Sequence, residues 1–131
     1  MRAARADAAS RIAARRAAER RGRAAERWCR WHLRLRGWRI LAAGWRCPAG
    51  QIDIIARRGR MVAVIEVKSR RDPADAALAL GPRQRRRIAR AAEAFLLTRP
   101  DLAILILRFD VMLAGPWRLP RHIAGAWRSD D

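Results

Sequence analysis

Lysine is nearly absent from this sequence. Of its 30 basic residues, Lys68 is the lone lysine and the other 29 are arginine. Acidic residues are scarce as well, 12 against those 30, which leaves a formal charge of +18 on 131 residues. A compositional bias toward arginine explains the choice of base but not the excess of positive over negative charge. That excess selects a polyanionic partner, with nucleic acid first and an anionic membrane surface second. Cysteine is limited to Cys29 and Cys47, which have neither C-x-x-C nor any other zinc spacing. Both read as small buried or half-buried residues in a reducing compartment. His32 and His122 stand apart, with no partner at metal-ligand spacing. No apolar run approaches the roughly 20 residues of a membrane-spanning helix. The first residues alternate Arg and Ala without the apolar block of a secretory leader, so a cytoplasmic location is expected.

What is present reads as one domain with a basic extension. The apolar fraction is 51%, but much of it is alanine, so a compact, small core is expected. Residues 1–21 are low in complexity and read as a solvated helix or a flexible basic arm. Residues 22–127 form the domain and 128–131 an acidic tail. From Gly22, apolar positions at Ala24, Trp28, Trp31 and Leu35, with Ala25, Cys29 and Leu33 beside them, have helical spacing. Trp28 and Trp31 read as core residues, and Gly37 suits the helix C-cap. "WRILAAGWR" (38–46) predicts a strand bulged near Gly44. "QIDIIAR" (51–57) and "RMVAVIEVKSR" (60–70) predict a hairpin turning at Arg58-Gly59. Residues 71–82 read as a loop or a short helical turn. An amphipathic helix over 83–99 follows, with Ile88, Ala91, Ala92, Phe95 and Leu96 facing the core. Residues 102–115 predict a buried strand, and the remaining tail reads as irregular. Helix, three strands, helix, strand is a mixed α/β order.

The hairpin places the candidate chemistry. A turn at Arg58-Gly59 sets Gln51 opposite Glu66 and Asp53 opposite Val64, one diagonal step from Glu66. Side chains alternate along strands, so Asp53, Glu66 and Lys68 share one face, and Ile52, Ile54, Ile65 and Val67 share the other. Two carboxylates a diagonal step apart can grip one hard cation, Mg²⁺ or Mn²⁺, which keeps waters and also binds phosphate. Such an ion polarises a phosphodiester and acidifies bound water. Lys68 suits a role that an arginine cannot fill, because an amine can surrender its proton. Arg83, Arg85, Arg86, Arg87 and Arg90 crowd the start of the second helix, where cations oppose the helix dipole unless an anion sits among them. Arg70 and Arg71 follow the E-x-K directly and could clamp a phosphate. No zinc finger or RNA-recognition motif announces base readout, so contacts to phosphate without sequence preference are expected.

The segment from Gly22 to Arg71, with "GQID" and "VAVIEVKSR" at its centre, resembles the YraN-like family of small bacterial proteins. The likeness extends through "RQRRRIARAAEAFL", "RFDVML" and "HIAGAW". The family belongs to the PD-(D/E)xK nuclease superfamily, which implies a restriction-endonuclease-like α/β core with a mixed sheet. It also implies metal-dependent hydrolysis of phosphodiesters, with DNA ahead of RNA. By that resemblance Asp53 and Glu66 hold the metal, Lys68 assists the water, and Glu26 of the first helix joins the site. The family pattern reads G-E-I-D, so Gln51 replaces its glutamate with an amide that ligates only weakly. A nuclease cutting two strands would suit a homodimer. A protein that keeps the fold but only binds nucleic acid, or associates with ribosomes, is the alternative.

Overall fold

In the computed structural model, residues 2–69, 80–115 and 118–129 are described. Helix α1 (Arg2–Leu35) leads into three antiparallel strands, β1 (Arg39–Cys47), β2 (Gly50–Arg58) and β3 (Met61–Ser69). Helix α2 (Pro82–Thr98) and a 3-10 turn (Pro100–Leu102) then precede β4 (Ile106–Ala114) and β5 (Arg121–Trp127). The five strands form one mixed sheet in the order β1-β2-β3-β4-β5, with β4 parallel to β3 and antiparallel to β5.

The sheet lies between the two helices, and each face has its own core. Ile55, Val62, Val64, Phe109 and Val111 pack with Ile88, Ala91, Ala92 and Phe95 of α2. Ile54, Ala56, Ala63, Ile65 and Met112 pack with Cys29 and Leu33 of α1. Covering both faces explains why β2 and β3 read as nearly continuous apolar runs rather than as alternating ones. Alanines at 91 and 92 bring α2 close to the sheet. Both cysteines are free, Cys29 buried and Cys47 partly so.

Helix α1 runs through Gly22 without interruption and ends in a Schellman motif. Trp38 N–H donates to Leu33 C=O at 3.0 Å and Gly37 N–H to Arg34 C=O at 3.1 Å, while Gly37 takes φ 88°. Leu33 and Trp38 close this stop by packing in the same core.

The structure corrects several expectations. Trp28 and Trp31 are not core residues; they are 62% and 56% exposed. The helix carries two apolar stripes, and the sheet covers the one through Cys29 and Leu33. The β2–β3 turn is Gly59-Arg60, not Arg58-Gly59, since Arg58 pairs with Met61. The last strand starts at Ile106 rather than near residue 102, because Leu102 is buried inside the 3-10 turn. The tail is not irregular: residues 121–127 add β5 to the edge of β4. The β1 bulge falls between Ile40 and Ala42. Residues 71–79 of the expected loop lie outside the described residues. Among the described residues, no helix is long and apolar enough to cross a membrane.

Candidate active site

A fork in the sheet builds the site. The β2–β3 ladder ends at Ile54↔Ile65, yet β2 stays paired to β1 back to Gly50 and β3 stays paired to β4 out to Ser69. Beyond Ile54 the two strands therefore part. Asp53 stands where they separate, and its Oδ2 accepts a 2.9 Å hydrogen bond from Val67 N–H, taking the place of the missing strand partner. The alternation of faces breaks at the same point. Ile52 packs on the α2 side, while Ile54 packs on the α1 side. This corrects the expectation that both lie on one face. The ladder register, continued by one residue, sets Asp53 across from Glu66 itself rather than from Val64. Asp53 and Glu66 thus stay neighbours, although the strand parity from which that was expected does not run through the break at Asp53.

Asp53, Glu66 and Lys68 are brought together, and Glu26 joins them. Glu26 lies three residues before Cys29, on the flank of α1 nearest the sheet, and comes within hydrogen-bonding reach of Asp53. Glu66 Oε1 accepts from Gln84 Nε2 of α2 at 3.3 Å. Gln84 was not singled out from the sequence; its one signal is that it interrupts an arginine run at the start of a helix. Gln51 is exposed at the beginning of β2, on the side toward Gly44 of β1.

The electrostatics are those of carboxyls crowded in a partly dry place. Burial pushes the Glu66 carboxyl up to about 8, and the negative charge of Asp53 adds to the rise while Lys68 opposes it. Burial also raises Asp53, against the Val67 N–H, the hydrogen bond with Glu66 and the charge of Lys68. Glu26 is raised by burial and then by Asp53, with Arg30 opposing. Beneath them, burial and the same carboxylates push the Cys29 thiol up to about 12, so it is an inert packing group. Nearby carboxyls that hinder one another's ionisation are what a bound cation would relieve. Their oxygens are hard donors, as Mg²⁺ or Mn²⁺ requires. Among the described residues no three His, Cys, Asp or Glu side chains form a ready metal-holding group. Asp53 and Glu66 are the residues that could hold such an ion, which would keep several waters.

The arginines at the start of α2 divide. Arg83, Arg86, Arg87 and Arg90 are exposed, whereas Arg85 is half-buried and its Nε has no hydrogen-bond partner among the described residues. The helix begins with Gly81 as N-cap, without a side-chain cap and without an acid in the first turn. Its first N–H groups and its arginines thus present a site for an anion beside Gln84 and Glu66. Arg70 and Arg71 lie outside the described residues.

A second polar cluster is structural. Fully buried Asp110 receives Arg108 Nε and Nη2 at 2.8 Å each and Gly125 N–H at 2.9 Å, with His122 Nε2 at 2.6 Å. His122 is therefore not isolated. The His122 and Gly125 contacts tie β5 to β4, and only the pairing of strands brings them to Asp110.

The family model described as "Uncharacterised protein family UPF0102" matches residues 25–114. A UPF0102 protein of Paramagnetospirillum magneticum is 57% identical over 82 residues, which is 63% of this chain and 64% of that relative. One from Parvibaculum lavamentivorans is 57% identical over 81 residues, 62% of this chain and 61% of the relative. One from Rhodopseudomonas palustris is 52% identical over 80 residues, 61% of each. The chain thus matches less than two thirds of the length of these relatives.

Proposed function

The chain belongs to the UPF0102 family, the YraN-like proteins of the PD-(D/E)xK superfamily, and we propose that it is a divalent-metal-dependent phosphodiesterase acting on nucleic acid in the bacterial cytoplasm, with DNA ahead of RNA. The observation that carries this reading is the fork. Asp53 is held by a backbone N–H from β3, beside Glu66, Lys68 and Glu26, in a partly buried cleft of a chain of charge +18.

Each residue has a distinct task. Asp53 and Glu66 would hold Mg²⁺ or Mn²⁺, which when bound polarises the phosphodiester and acidifies water. Val67 N–H fixes Asp53 Oδ2 and with it the orientation of the carboxylate. Gln84 orients Glu66 across the cleft from α2. Lys68, close enough to lower both carboxyls, orients the attacking water and offsets charge that develops on the phosphate. Glu26 supplies a further carboxyl on the α1 side. The arginines at the start of α2 hold flanking phosphates without reading bases. Gln51 favours a second reading, a protein that binds nucleic acid without cutting it, because a neutral amide stands where the family pattern has a glutamate.

The test compares wild type with Asp53→Ala and Lys68→Ala on labelled branched, single-stranded and duplex substrates, with Mg²⁺, Mn²⁺ or EDTA. The expected result is metal-dependent cutting that falls by about 10²-fold or more in each variant while binding persists. Salt-sensitive binding with no cutting by wild type would make the binding-only reading the better one.

A further inference from the structure

Helix α1 presents three faces in turn. Cys29 and Leu33 are buried against the sheet. On the adjoining face, Arg23, Arg27, Arg30 and Arg34 line an open groove of about 390 Å³ along β1, shared with Glu26 of the carboxyl cluster and with Gly44. On the outer face, Trp28 and Trp31 stand 62% and 56% exposed. Together with Ala24 and Arg27 they line a second cavity of about 440 Å³. Arg27 borders both cavities, and the Arg34 guanidinium lies 6.0 Å from the centre of the Trp31 ring. Leu35, 82% exposed, extends the same stripe.

Two indoles one turn apart on a solvent face need a partner with flat apolar surfaces. The charge around them restricts which one. Along 34 residues α1 has only Asp7, Glu19 and Glu26 to set against its many arginines, so pairing two copies through this stripe would press like charges together. A single strand of nucleic acid meets both demands. Its phosphates match the arginine row, and its unpaired bases offer π-faces to the indoles. A duplex keeps its bases stacked inside and could use the arginines alone. The groove passes Glu26, which comes within hydrogen-bonding reach of Asp53, so a strand lying along it passes beside the carboxyls. We propose that α1 is the platform for a single-stranded segment of the substrate, with bases stacked on Trp28 and Trp31 and phosphates on Arg23, Arg27, Arg30 and Arg34. This rests on the nucleic-acid reading above and adds the strand state the site accepts.

The test uses the full chain in EDTA, so that cutting plays no part. Binding of a labelled oligothymidylate and of a blunt duplex of equal length is measured for wild type, for Trp28→Ala/Trp31→Ala and for Trp28→Phe/Trp31→Phe. The Ala pair is expected to lose about tenfold or more in affinity for the single strand. Its duplex affinity and thermal unfolding should stay unchanged, and the Phe pair should regain most of the loss. Unchanged single-strand affinity in the Ala pair overturns the proposal, as does an equal loss on both substrates or no single-strand binding by wild type. A wild-type dimer that becomes monomeric in the Ala pair also overturns it and assigns the stripe to a second copy. So does a tight complex with an acidic polypeptide, lost in the Ala pair, where the oligothymidylate shows none. Absence of cleavage by wild type in Mg²⁺, with tryptophan-dependent binding intact, would sink the nuclease reading and leave this one standing.

Discussion

Asp110 and Asp53 are both aspartates withdrawn from solvent, and they are treated in opposite ways. Burial works to raise the Asp110 carboxyl, but the hydrogen bonds from His122, Arg108 and Gly125, and the charge of Arg108, hold it below its ordinary value of 3.8. Asp53, with one backbone donor and two carboxyl neighbours, is left above its ordinary value. A satisfied buried acid serves the fold, and an under-satisfied one beside a cleft is a candidate for chemistry. The sign for Asp110 is that of a depressed carboxyl. Its stabilisation is complete above pH 3.8 and is lost as pH falls through the folded value, because the unfolded chain takes up the proton first. Asp110→Asn is therefore expected to be less stable than wild type at pH 7, by about 3 kcal/mol. The gap should narrow on acidification below about pH 4. Urea unfolding of both proteins across that range checks it, and a gap independent of pH would contradict the assignment. In the sequence, "RFD" and "RHIAG" show nothing of this, since strand pairing alone makes Asp110, His122 and Gly125 neighbours.

Among the elements, α1 carries the most consequences. Its C-terminal stop sets where Trp38 and β1 begin, and so how the Glu26 flank meets the fork. Gly37 holds φ 88°, a region that costs an L-residue roughly 1–2 kcal/mol. Gly37→Ala should lower stability by about that much and reduce the melting temperature by several degrees, read by circular dichroism. An unchanged melting temperature would mean that the Schellman hydrogen bonds do not hold this turn. The stop was legible in the sequence, because a glycine after an apolar-periodic segment is a local signal. Which of the two apolar stripes faces inward was not. Trp28 and Trp31 are the bulkier residues, yet the smaller pair, Cys29 and Leu33, fits against the sheet. Helix α2 was easier to read. Its single stripe through Ile88, Ala91, Ala92 and Phe95 allowed one orientation, and those residues are the buried ones.

At the scale of the whole molecule the net charge dominates. Exposed Arg86 and Arg87 lie at the start of α2, on the opposite side of the sheet from α1. If each holds one phosphate, Arg86→Ala/Arg87→Ala should reduce the slope of log affinity for a duplex against log salt by roughly 1.8, at about 0.9 per phosphate. Titrating a duplex at several KCl concentrations measures that slope. A slope equal to that of wild type would remove these two arginines from the interface.

The sequence by itself determined the charge, the second helix, the hairpin and the grouping of Asp53, Glu66 and Lys68. Each is written locally, in composition, in a 3.6-residue period or in the short connection that makes β2 and β3 neighbours. Only the tertiary structure decided the rest. The fork that breaks alternation at Asp53 exists because β2 follows β1 while β3 follows β4. The Gln84 bond to Glu66 needs α2 to pack across the sheet over β2, so that its first turn reaches a side chain of β3. The burial of Cys29 in place of Trp28, and the strand β5 anchored on Asp110, depend on which surfaces meet. These are contacts between elements distant in the chain, and no periodicity within one element encodes which partner it will find.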